Sequence, residues 1–131
     1  MEEPQYDILI VDDSKFIIKL LTDILKLKGY SCRSVKNITL AMKELDKSLP
    51  KLIFLDVNLP DSNSYEFCKI LKSTEKFNGI LIYYFTGIDE AEIAIKTLET
   101  RADGYLKKPF DLSDFNDIFE HLDQSNTTAK L

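Results

Sequence analysis

No run of apolar residues in this sequence is long enough to cross a bilayer. Its first residues, Met1-Glu2-Glu3-Pro4, are acidic where a secretory signal carries a basic segment. Both absences predict a cytoplasmic protein with no membrane partner. Cysteine is scarce: Cys32 and Cys68 are too few and too far apart for a zinc site or a disulfide framework, and they read as reduced thiols in or near the core. There is no block of lysine or arginine, and 22 acidic against 17 basic residues give a formal net charge of −5 and a pI near 4.9. Such a surface argues against direct nucleic-acid binding. The one histidine, His121, has no kinase or phosphotransfer motif around it and reads as a solvated surface residue. Internal repeats and low-complexity segments are also missing.

What is present is the make-up of a single globular domain: 131 residues, 44% hydrophobic and 30% charged. The pattern places the domain in residues 1–122, with 123–131 as a polar tail or the start of a linker. Apolar strand-like runs alternate with segments of helical periodicity. Strands are predicted at Tyr6 to Val11, Ser31 to Val35, Lys51 to Asp56, Ile80 to Phe85 and Gly104 to Lys107. Ser14, Asn37, Asn63, Asp89 and Asp111 stand where helix caps belong, the third and fourth with Glu66 and Glu92 three residues on, as in a capping box. Gly29 stops the first helix, and Leu59-Pro60-Asp61-Ser62-Asn63 reads as a turn-rich loop.

Alternation of this kind implies βαβ units and a parallel sheet. The first, third and fourth strands are apolar without alternation and belong in the centre; the second and fifth are shorter and more polar, as edges are. The predicted fold is a doubly wound α/β domain with a five-stranded parallel sheet in the order 2-1-3-4-5, flanked by five helices.

The chemistry sits at strand ends. Asp12-Asp13 follow the first strand, Asp56 ends the third, and Lys108-Pro109 follow the fifth. The carboxyl edge of an open α/β sheet is where ligands bind, and carboxylates and a lysine there suit a divalent cation and a phosphoryl group. A carboxylate such as Asp56 can act as nucleophile to form an aspartyl-phosphate. Taken singly, each residue has an ordinary reading as a cap, turn residue or surface charge. Together they form one site.

Asp12-Asp13, Asp56, Thr86 after the fourth strand, and Lys108-Pro109 resemble the pattern of a response-regulator receiver domain of two-component signalling, and the similarity spans Gln5 to Leu122. The resemblance implies a flavodoxin-like fold and a phosphorylation-activated switch. A sensor histidine kinase or phosphotransfer protein would pass a phosphoryl group to Asp56 in a Mg²⁺-dependent reaction. By the same resemblance, Asp13, Asp56 and the Asn58 backbone carbonyl hold Mg²⁺, Asp12 acts through water, Lys108 balances the phosphoryl charge, and Thr86 and Tyr105 are the switch pair. A downstream effector would dock on the face made by the fourth helix, fifth strand and fifth helix, and a phosphorylation-linked dimer is also allowed. The chain would be no enzyme beyond its own phosphorylation and slow autodephosphorylation. A cis bond is expected at Lys108-Pro109, as in similar receivers. Asn58 and Ile88 are the groups at the mouth of the site expected to govern water access.

Two other functions use the same residues. A haloacid-dehalogenase-like phosphohydrolase wants a second Asp two residues past the nucleophile, where this chain has Asn58, and a cap domain. A pseudo-receiver would have a degraded acid site, and this one is intact. The chain departs from the family at Ser62-Asn63-Ser64, where a glycine is usual; Asn63 is expected to take over the left-handed backbone that glycine allows. A milder departure is Gly87, where a small alanine is common.

Overall fold

The computed structural model describes residues 6–59 and 63–130, with side chains to Gln124. Pro60, Asp61 and Ser62 of the predicted loop therefore lie outside the described residues. In chain order the elements are β1 (Ile8–Val11), α1 (Lys15–Leu27), β2 (Cys32–Val35), α2 (Ile38–Lys47), β3 (Leu52–Asp56), α3 (Ser64–Ser73), β4 (Leu81–Thr86), α4 (Glu90–Thr100), β5 (Gly104–Lys107), a 3₁₀ turn (Leu112–Phe115) and α5 (Asn116–Lys130). The strands pair in parallel in the order β2-β1-β3-β4-β5, as the apolar pattern predicts.

Period-two alternation along the central strands divides the core between the two sheet faces. Leu9, Val11, Ile53, Leu55, Ile82 and Tyr84 pack with α2, α3 and α4. Ile8, Ile10, Leu52, Phe54, Tyr83 and Phe85 pack with α1 and α5. Every residue of β1, β3 and β4 is buried, so no position on these strands is left for alternating polar residues. Truncating a fully buried Leu21 or Leu25 of α1 to alanine would cost roughly 2–5 kcal/mol. Cys68 is buried and Cys32 half-buried, both as free thiols; burial pushes the Cys68 thiol above its ordinary pKa.

The helix starts form where the polar residues allow. Ser14, Asn37, Asn63 and Asp89 each accept the N–H three residues on, at 3.3, 2.8, 3.1 and 3.3 Å. Each such cap contributes about 1 kcal/mol. Gly29, at φ 87°, ends α1.

Two expectations need correcting. Asn63 does not supply left-handed backbone: it is extended at φ −115° and ψ 99°, because a side chain that caps a helix start needs a non-helical backbone beneath it. The last helix also runs on to Lys130, past the end of the apolar pattern at Leu122. Residues 123–130 contain neither glycine nor proline to stop it. Its start is a 3₁₀ turn held by a capping box in which Asp111 and Asp114 accept from each other's turn.

Candidate functional site

Sheet register brings the site together. Val11 pairs with Leu55, so Asp12 follows β1 beside Asp56 at the end of β3. Phe85 pairs with Asp56 and Lys107 with Thr86, which carries the next two strand ends to the same edge. Carboxylate oxygens of Asp12, Asp13 and Asp56 lie within 4.8 Å of one another. Asp12 and Asp56 are only 1% and 4% exposed, whereas Asp13 is open to solvent.

Lys108 Nζ stands 3.8 Å from Asp12 Oδ2 and 3.9 Å from Asp56 Oδ1. It also lies 4.5 Å from the centre of the Phe85 ring, whose negative face steadies a cation. The Lys108–Pro109 bond is cis, as expected. The backbone N–H of Lys108 donates to Thr86 O at 2.8 Å, extending the β4–β5 pairing up to the lysine.

One lysine against three carboxylates leaves the site electron-rich. Burial pushes the Asp12 carboxyl above its ordinary pKa, and the neighbouring Asp56 and Asp13 add to this; the Ser14 N–H and Lys108 act in the opposite direction. Asp12 Oδ1 accepts from Ser14 N at 2.8 Å, but Oδ2 is buried with no hydrogen-bond partner. A buried carboxylate oxygen in that condition is costly unless a positive group meets it. Hard oxygen donors, surplus negative charge and an oxygen without a hydrogen-bond partner all fit a small divalent cation such as Mg²⁺.

Residues 8–120 match the response regulator receiver domain. The chain belongs to this family. It is 36% identical over 109 residues to the alkaline phosphatase synthesis transcriptional regulatory protein PhoP of Bacillus subtilis, covering 83% of this chain and 45% of that protein. Among solved structures it resembles a two-component response regulator from Clostridium difficile, with 28% identity, a TM-score of 0.81, and coverage of 92% of this chain and 97% of that one. A receiver domain of a signal transduction histidine kinase from Syntrophus aciditrophicus matches at 28% identity and a TM-score of 0.80, over 95% and 92% of the two chains. The chain spans about half the length of the curated relatives it matches. No helix among its described residues is long and apolar enough to cross a membrane.

In this receiver domain the remaining site residues fall as follows. Asn58 is exposed, and its N–H donates to Asp56 Oδ1 at 3.0 Å. Thr86 is fully buried, and its Oγ1 accepts from Ile88 N at 3.0 Å. Tyr105 is half-buried against the α2–α3–α4 core, with its hydroxyl donating to Glu90 at 3.0 Å. Ile88, expected to be exposed at the mouth, is half-buried and packs on the same core. His121 is not simply solvated: its Nδ1 is 2.6 Å from the Tyr83 hydroxyl.

Three contributors were not visible in the sequence pattern. Ser64, read only as part of the loop, is buried and donates to Asp56 O at 2.5 Å, fixing the backbone under the carboxylate. Lys107 hydrogen-bonds the carbonyls of Ile88 and Gly87, tying the loop after Thr86 to β5. Phe85 supplies the ring beside Lys108. Ser64 and Lys107 carried no signal beyond adjacency to residues already singled out, since their partners are backbone atoms brought near by the fold.

Proposed function

We propose that this receiver domain is a phosphorylation-activated switch whose acceptor is Asp56. The observation that carries the reading is the convergence of Asp12, Asp13 and Asp56 with Lys108 on one sheet edge. The donor is a phosphohistidine on a sensor kinase or phosphotransfer protein. An Asp56 oxygen attacks phosphorus, the P–N bond breaks, and the leaving imidazole nitrogen takes a proton. Asp13, Asp56 and the Asn58 carbonyl would hold Mg²⁺, with Asp12 acting through water. Bound there, Mg²⁺ supplies positive charge that offsets the carboxylates and the phosphoryl oxygens.

The protein's own groups do the rest. Lys108 offers its ammonium to a phosphoryl oxygen. The Asn58 N–H orients the Asp56 carboxylate from one side, while Ser64 anchors its backbone from the other. Thr86 Oγ1 is occupied by the Ile88 N–H, so swinging it to a phosphoryl oxygen releases that turn and shifts the loop toward α4. Tyr105, held at the surface by Glu90, follows into the space vacated. Phosphorylation thereby shifts a two-state equilibrium at the α4–β5–α5 face, where effectors dock. The domain works in the cytoplasm and catalyses only its own phosphorylation and slow autodephosphorylation.

The test is intact-mass spectrometry after incubation with acetyl phosphate and Mg²⁺. One phosphoryl group is expected on the parent and none on Asp56→Asn or Asp13→Asn. Full labelling of the Asp56→Asn protein would remove the assignment.

A further inference from the structure

The α4–β5–α5 face holds a groove of about 450 Å³ floored by Tyr83, Gly104 and Ile118. The floor is built around a missing side chain. An added Cβ at Gly104 would lie 2.5 Å from Tyr83 Cε2, so only glycine lets the Tyr83 ring lie against β5 and reach His121 on α5. The α4 side contributes Ala94, Thr97 and Leu98, the last 81% exposed. Opposite, on the α5 side, stand Asp114 and Asp117.

Among the described residues, these two carboxylates are the only charged side chains lining the groove. At the adjoining end lie Glu90 and Lys107, and the Lys107 ammonium is already bonded to the Ile88 and Gly87 carbonyls. Arg101 is exposed at the end of α4 but outside the lining. Asp114 has one oxygen in the capping box with the Asp111 N–H. Burial, together with Asp103 and Asp117, pushes the Tyr83 phenol up to about 12.

We infer that the occupant of this groove is a positively charged amphipathic protein segment, which sets an apolar side chain between Leu98 and Ile118 and lays lysine or arginine against Asp114 and Asp117. The inference rests on the output-face reading above and adds the chemistry of the partner. Apolar floor and rim supply the burial, while the acidic wall selects the sign of charge. A nucleic acid would be repelled by the same two carboxylates.

The test uses the full chain and a fluorescein-labelled peptide of lysine and leucine, with leucine at helical three- and four-residue spacing. Two control peptides carry glutamate for lysine and alanine for leucine. Anisotropy measures affinity, and amide chemical shifts locate the site. Shifts clustered at Leu98, Gly104, Tyr105 and Asp117 are expected, with affinity falling about tenfold for Asp117→Lys, for Leu98→Asp and for the alanine peptide. The glutamate peptide should not bind. Shifts centred instead on the acid site, or on a second groove between α2 and α3 that Met42 and Ile70 line, would overturn the inference. So would unchanged affinity in both variants, or a dimer in sedimentation that Leu98→Asp dissolves. Acetyl phosphate labelling of the same proteins, read by mass, separates the two readings: Leu98→Asp and Asp117→Lys should label like the parent. An unlabelled parent would sink the switch while leaving the groove result standing.

Discussion

Gly104→Ala is the most direct test of how the β4–β5–α5 seam is built. The new methyl carbon would sit 2.5 Å from Tyr83 Cε2 and 3.0 Å from Cδ2. Carbon atoms in contact prefer about 3.5–4.0 Å, so the ring must retreat by roughly 1 Å. That retreat stretches the 2.6 Å contact between the Tyr83 hydroxyl and His121 Nδ1. Overpacking of this kind costs about 1–3 kcal/mol, and the lost hydrogen bond adds about 1 kcal/mol. Against both stands the stiffer unfolded chain, worth about 0.4–1 kcal/mol in alanine's favour. The expected net loss is about 1–3 kcal/mol, or roughly 4–12 °C in Tm for a domain of this size. Urea denaturation followed by circular dichroism gives the free energy. The same substitution made on a Tyr83→Ala background isolates the clash, because without the ring the alanine should be neutral or stabilising. If Gly104→Ala is as stable as the parent on the native background, the ring does not need the glycine and the seam is packed in some other way.

Other consequences follow from the same contacts. Asp12→Asn removes a buried charge beside two others and should raise Tm in Mg²⁺-free buffer, while cutting the further rise that Mg²⁺ gives the parent; calorimetry with and without Mg²⁺ reads both. Thr86→Ala should leave acetyl phosphate labelling largely intact and abolish the change in Tyr105 ring signals on phosphorylation, measured by NMR. Ile88→Glu offers a carboxylate to orient water and should speed decay of the phosphorylated protein after donor removal. Because Ile88 is half-buried on the core, that variant should also lose about 1 kcal/mol of stability, visible in the same melts. Asp7 gives a pH test. Burial pushes its carboxyl up, but the Ser31 N–H and Lys51 outweigh this and hold it below its ordinary value. Its stabilisation is therefore present above the unfolded carboxylate pKa and lost as pH falls through the lower folded value. The stability gap between the parent and Asp7→Asn should be full at pH 7 and close below about pH 4.

The strand order and the acid site were legible in the sequence because both are written locally. A continuous apolar run such as Leu52-Ile53-Phe54-Leu55 marks a strand covered on both faces, and a carboxylate at its end has one edge of the sheet to occupy. Ser14, Asn37 and Asp89 cap helices through bonds that span only three residues, so their roles needed no knowledge of the rest of the chain. The tertiary structure decided what depends on distant backbone. Ser64 matters because the Asp56 carbonyl lies within its reach, and Lys107 because two loop carbonyls do; carbonyls leave no mark on a sequence. Asn63 was misjudged because glycine-like backbone and a capping role are alternatives for the same residue, and the start of α3 chose between them. Gly104 shows the limit most clearly. Its lack of a side chain reads as an ordinary strand end until the Tyr83 ring, from the neighbouring strand, is seen to fill the space.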